Sequence, residues 1–347
     1  MSQTIPEPEY QIVAPYSPEH PRNGEGDIIA LKDGSLLLAY GKWSGGGDDF
    51  DFAEVWSKTS TDGGRKWGND RVIVPNEGKV TTFSTGLLRL ANGEILMSSL
   101  SKDSMEDCSI FLRKSSDECK TWTPRIKFET PEGYSNYTGM NNGRLIQLKS
   151  GRILGAGFDG WVNGRPFIAF SLISDDNGDT WRASKNYVNI LDLESTNKDG
   201  AQEPGVIELK DGRIMMWIRN SLGYVAKAYS TDQGETWSKP ELIKQLKAPL
   251  APASIKRLPQ TGDLLIVWNN NQTARRPLNS AISKDDGETW ENIKVVDDHE
   301  VTSWGFAYTS ITPLDDMVIL TYWNGDASSL KMARIDYRWF YQPDGCI

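Results

Sequence analysis

Ser174-Asp-Asp176-Asn-Gly178-Asp-Thr-Trp181 is the stretch on which the reading of this chain turns. Its pattern, S-x-D-x-G-x-T-W, returns at Ser60 to Trp67, Ser115 to Trp122, Ser230 to Trp237 and Ser283 to Trp290, with Cys119 in place of the glycine in the second copy and Lys66 in place of the threonine in the first. The tryptophans Trp67, Trp122, Trp181, Trp237 and Trp290 follow one another at intervals of 55, 59, 56 and 53 residues. A fixed period of that length marks one supersecondary unit used repeatedly. Within the motif, Asp bonds amides of its own turn, Gly supplies a positive φ and Trp buries a large ring against a neighbouring unit. The motif reads as a tight hairpin, not as a binding site.

A second pattern interleaves with the first: a Leu, a turn and then an apolar run, at Leu31 to Gly34, Leu90 to Gly93, Leu148 to Gly151, Leu209 to Gly212, Leu258 to Gly262 and Leu314 to Asp316. Asp-Gly and Asn-Gly between apolar runs are strong hairpin signals. Six such hairpins imply six units of about 58 residues, enough for a four-stranded sheet with its loops, which is a propeller blade. The expected fold is therefore all-β, a six-bladed propeller with four-stranded antiparallel blades, residues 1–347 forming one domain. The sixth unit lacks the repeated turn, so the ring should close there with strands from both chain ends, Lys331 to Tyr337 and part of Tyr10 to Pro15.

Composition removes several function classes. With 38 Lys+Arg against 47 Asp+Glu the net charge is -9, the wrong sign for a nucleic-acid groove, which gains affinity from clustered cations and counterion release. No apolar run approaches the roughly 20 residues of a membrane-spanning helix. No signal peptide is visible at Met1 to Tyr10, so a cytoplasmic location is expected if the chain is full length. Two histidines, His20 and His299, argue against a His-based triad or zinc site, and one carboxylate per turn is a poor calcium cage. No metal and no cofactor is expected. Three cysteines, Cys108, Cys119 and Cys346, leave at least one thiol free, with a Cys108–Cys119 disulfide as one open pairing.

The repeated turn is the Asp box, and with six blades the chain resembles the sialidase (neuraminidase) superfamily. The resemblance implies three arginines holding a substrate carboxylate, a tyrosine nucleophile paired with a glutamate, and a loop aspartate as acid and base. Arg22, in Pro21-Arg22-Asn23-Gly24-Glu25, stands where the first arginine is expected, although the family's Arg-Ile-Pro is here Arg-Asn-Gly. Gln202-Glu203-Pro204-Gly205 through Arg219-Asn220 matches the family's run of Glu, strand, hairpin, strand, Arg, and supplies Glu203 and Arg219 together. For the third arginine Ala274-Arg275-Arg276-Pro277 offers two candidates, with Arg276 preferred. Tyr308 occupies the nucleophile position, and Asp49 in the glycine-rich loop Ser44 to Asp51 the acid/base position, Asp48 and Asp51 being alternatives.

Three guanidiniums on one carboxylate would select an acidic sugar in an acidic protein. A neutral phenol avoids the repulsion that a carboxylate nucleophile would meet from the substrate's own charge. The resemblance implies a retaining exo-glycosidase acting on a terminal sialic acid or related acidic glycan. The alternatives are action on another acidic or arabinan glycan by hydrolysis or elimination, and a non-catalytic carbohydrate-binding propeller. Tyr134, Tyr137, Trp161 and Trp304 are aromatic faces suited to sugars or to blade packing. Gly155 to Gly160 fits G-x-G-x-x-G, but no helix can follow it, and it is read as a loop.

Overall fold

A computed structural model of the chain describes residues 4–160, 162–195, 197, 199–299 and 303–342. Trp161 and Cys346 lie outside the described residues. Six antiparallel sheets are arranged around one axis. Their innermost strands are Asn23–Ala30, Thr81–Arg89, the pair Thr138–Gly139 and Leu145–Gln147, then Gln202–Glu208, Ser254–Arg257 and Phe306–Pro313, opening blades 1 to 6 in chain order. The third is interrupted: Thr138–Gly139 and Leu145–Gln147 both pair with Ile153–Asp159, and Met140 to Arg144 leave the ladder between them. Blade 6 takes its outermost strand, Glu9–Ala14, from the opposite chain end, paired with Ser329–Asp336. The ring closes as the missing sixth turn implied. Helix is confined to three short 3-10 turns among the described residues.

The Asp boxes join the third and fourth strands of blades 1 to 5. In blade 3 the Ser174 hydroxyl accepts from Gly178 N at 2.8 Å and donates to Asp176 Oδ1 at 2.9 Å. The Asp176 carboxylate in turn accepts from the Thr180 amide at 2.9 Å and from its hydroxyl at 2.6 Å. Glycine at the fifth position does two jobs. It adopts φ near +87° at Gly178, and a Cβ there would lie 3.3 Å from Leu96 of blade 2. Gly234 meets Leu154 of blade 3 and Gly287 meets Met215 of blade 4 in the same way. Each box therefore rests on the preceding blade, and the repeat period is the period of blade stacking. The core lies between blades, as in the cluster of Ile214, Met216 and Trp237 with Leu154, Ala156 and Ile173.

Two sequence expectations change. Cys108 and Cys119 are both free and buried, packed into different core clusters, one at a strand start in blade 2 and the other in the Asp box. The Gly155 to Gly160 run is not a loop: Gly155 and Gly157 sit within the strand Ile153–Asp159. A Cβ at Gly157 would meet Leu172 at 2.6 Å, so these glycines serve close packing on the adjoining strand.

Candidate active site

Four inner strands break register near their start. The irregularities fall between Gly24 and Asp27, Phe83 and Gly86, Gln202 and Gly205, and Ala307 and Ser310. Each contains one non-glycine residue with left-handed backbone: Glu25 at φ +55°, Ser84 at +56°, Glu203 at +38° and Tyr308 at +56°. That conformation costs an L-residue on the order of 1–2 kcal/mol. A bulge re-aims a side chain that regular pleating would send elsewhere. Repetition in blades 1, 2, 4 and 6 turns four polar side chains, three of them ionisable, toward one mouth of the ring.

Glu203 and Arg219 face each other across a hairpin, Gln202 pairing with Arg219 in the ladder. Arg219 Nη1 donates to Glu203 Oε2, and both side chains are largely buried. Gly205 makes this hairpin possible, since a Cβ there would sit 2.0 Å from the Trp217 ring. The Tyr308 hydroxyl flanks the same guanidinium; against the opposing effect of burial, Glu203 and Tyr308 hold the Arg219 guanidinium more firmly protonated than usual. Burial and the Glu203 and Glu25 carboxylates push the Tyr308 phenol above its ordinary range, more than Arg219 and Arg275 draw it down. Tyr308 is therefore a neutral phenol at rest, beside the Glu203 carboxylate.

Arg22 stands on the other side. Its guanidinium lies 4.3 Å from the Trp43 ring centre and 5.3 Å from that of Trp323. Nη1 donates to Asp49 Oδ1 at 2.6 Å and Nη2 to Glu25 Oε1 at 3.1 Å. Against burial, Arg22 and Lys102 keep the Asp49 carboxyl below its usual range. Lys102 Nζ donates to the Asp49 carbonyl at 3.2 Å and lies over the Phe50, Phe83 and Tyr137 rings. Asp48 and Asp51 bond each other's segment within the loop instead, Asp48 N donating to Asp51 Oδ2 at 2.8 Å.

The adjacent arginines lie in the bend before the strand Leu278–Ser283 and separate there. Arg276, preferred on sequence, is exposed; Arg275 is half-buried and supplies the positive charge acting on Tyr308, with Nη2 donating to the Leu250 carbonyl at 3.1 Å. The structure thus brings Arg22, Asp49, Glu203, Arg219 and Tyr308 into one electrostatic cluster and joins Arg275, not Arg276, to it. Sequence reasoning missed Glu25 and Lys102, and took Tyr137 only as an aromatic face. Glu25 had one available signal, its place three residues after Arg22 on the first inner strand. Trp304 is 65% exposed next to Gly305, whereas Tyr134 packs on Phe170 and Tyr187. Among the described residues no group of three or more His, Cys, Asp or Glu is placed to hold a metal ion.

Glu25 carries a pH signature. Burial, reinforced by Asp49, raises its carboxyl to about 7, while Arg22 and Ser84 oppose the rise. Between an ordinary value of about 4.3 and that raised value the folded chain binds more protons than the unfolded one. This contribution to stability is therefore full below about pH 4 and is lost as pH rises through about 7. Asp27, raised to about 6 by burial, adds the same sign. Thermal unfolding across that window should show a falling Tm that Glu25→Gln flattens; an unchanged slope would contradict the burial of an ionisable Glu25.

Asp-box turns on a six-bladed ring place the chain in the sialidase superfamily of BNR-repeat propellers. Within it, the chain belongs to the BNR repeat-like domain family, whose model matches residues 34–320. It is 28% identical over 324 residues to a sialidase of Micromonospora viridifaciens, covering 83% of this chain and 47% of that one. A sialidase of Bacteroides fragilis is 24% identical over 342 residues, covering 84% and 58%. The chain spans about half the length of the curated relatives it matches. Among solved structures, a Hadza microbial sialidase aligns with a TM-score of 0.77 at 21% identity, over 92% of this chain and 67% of the other. The Trypanosoma rangeli sialidase in complex with 2,3-difluorosialic acid aligns at 0.74 and 14%, over 95% and 59%. At such identities these likenesses show the fold.

Proposed function

We propose that the chain is a retaining exo-acting glycoside hydrolase that releases a terminal sialic acid or related acidic sugar through Tyr308. The observation that carries this reading is a neutral tyrosine, held in left-handed backbone, sharing one buried guanidinium with a glutamate. Strain of this kind at both Glu203 and Tyr308 favours a reactive pair over a passive binding surface.

Arg22, Arg219 and Arg275 hold the substrate carboxylate. As the leaving oxygen departs, Glu203 takes the phenol proton and the Tyr308 oxygen forms a bond to the anomeric carbon. Asp49 gives its proton to the leaving oxygen, then takes one from water, whose oxygen displaces Tyr308 with overall retention while the departing phenolate recovers its proton from Glu203. Against burial, Arg22 and Lys102 keep Asp49 ionised. A substrate carboxylate on Arg22 would neutralise that cation and exclude water, both of which raise the Asp49 carboxyl toward the protonated form an acid needs.

Glu25 favours the wider version of the reading, in which the acidic sugar is not restricted to sialic acid. With both terminal nitrogens of Arg22 already bonded to Asp49 and Glu25, an incoming carboxylate must compete with an internal one. That arrangement suits an acidic sugar other than the commonest sialic acid as well as sialic acid itself. Incubation with a fluorogenic α-ketoside of N-acetylneuraminic acid tests the reading. Fluorophore release, with the α-anomer appearing first by NMR, is expected; absence of release from this and from other acidic glycosides would overturn it.

A further inference from the structure

Arg144 is a buried cation without an ion pair. It is 3% exposed, and among the described residues no carboxylate oxygen lies within salt-bridge distance of it. Burying an unpaired guanidinium costs several kcal/mol, and an apolar side chain of similar size would avoid that cost. Burial draws the guanidinium down to about 10, against the opposing pull of Glu203 and then Asp27. Its position explains the retention. Arg144 ends the segment Met140 to Arg144 that interrupts the inner strand of blade 3, so it leaves the ladder and crosses toward blade 5. There Nη1 donates to Ser254 Oγ at 3.0 Å and Nη2 to the Ala253 carbonyl at 2.8 Å, with the guanidinium 5.5 Å from the Trp217 ring centre.

Two connections run from this group to the proposed reacting pair. The Ser254 hydroxyl passes its own proton to the Thr309 carbonyl at 2.5 Å, one residue beyond Tyr308. Asn142, from the same interrupted segment, donates to the Tyr308 carbonyl at 3.0 Å and to the Gly26 carbonyl at 2.9 Å. Through space, Glu203 is the first carboxylate acting on Arg144.

We propose that Arg144 is a positioning residue for Tyr308, pinning with Ser254 and Asn142 the Tyr308 and Thr309 carbonyls and so holding Tyr308 in its left-handed conformation beside Glu203. The inference rests on the reading of Tyr308 as the nucleophile, and its test separates the two. Amide hydrogen exchange of the segment Phe306 to Ser310 reports its local opening without any substrate. Arg144→Met should fold, because it removes an unpaired buried charge, and should speed that exchange at least about tenfold. On the fluorogenic ketoside its kcat should fall at least about tenfold with KM within about threefold. Ser254→Ala should speed the same exchange and lower kcat in the same sense, because it cuts the link to the Thr309 carbonyl. A folded Arg144→Met with unchanged exchange in that segment, or with wild-type kcat, would overturn the proposal. Faster exchange in a chain that turns over no acidic glycoside would uphold the positioning and overturn the hydrolase reading instead.

Discussion

Tyr308→Phe should release the fluorophore at no more than about a thousandth of the wild-type kcat, with KM changed by less than about fivefold, the size of loss expected when a nucleophile and its proton transfer disappear together. The substitution removes one oxygen and keeps the ring, whose centroid lies 6.4 Å from that of Trp323. The backbone bonds from Asn142 and toward Thr309 do not involve the phenol, so the fold should survive and the substrate should still meet its arginines. The loss then sits in kcat, the signature of an interaction made only in the transition state. Far-UV circular dichroism and thermal unfolding control for folding. A kcat within tenfold of wild type would move the chemistry away from this residue.

Arg219→Ala should damage both binding and stability. The guanidinium and the Glu203 carboxylate are a mutually satisfied, largely buried pair. Removing one member leaves the other as an uncompensated charge, at a cost of about 3–5 kcal/mol. Thermal unfolding should therefore shift well below wild type, and lowering the pH should recover part of the loss by protonating Glu203. Loss of a bidentate anchor for the substrate carboxylate should raise KM on the order of a hundredfold. Arg219→Lys should restore more stability than affinity, since an ammonium neutralises Glu203 but cannot present the planar fork. If Arg219→Ala unfolds at the wild-type temperature and binds normally, the pair is neither buried nor part of the site.

The legibility of this chain divides along the same physical line. Features whose cause is local were open to inspection: the Asp box sets its own hydrogen bonds within eight residues, and its glycine and tryptophan report contact with the preceding blade. Glu203 and Arg219 were readable because one hairpin joins them. Arg275 and Arg276 were not separable, since which of two adjacent residues faces the pocket depends on the path of the segment before Leu278, where Phe306 N bonds the Arg275 carbonyl from blade 6. Glu25 was hidden for a related reason. Only the shared bulge, a register event between two strands, shows that it is the counterpart in blade 1 of Glu203 in blade 4 and Tyr308 in blade 6. Arg144 was the least visible, because its role depends on an interruption in a strand and on partners 110 residues away.

A covalent bond between Tyr308 and the sugar is tested most directly by intact-protein mass spectrometry after incubation with 2,3-difluorosialic acid. The expected result is one added glycosyl mass on the wild-type chain, mapped by peptide fragmentation to Tyr308 and absent from Tyr308→Phe. Turnover of the fluorogenic ketoside with no such adduct, or an adduct that maps to Glu203, Glu25 or Asp49, would contradict it.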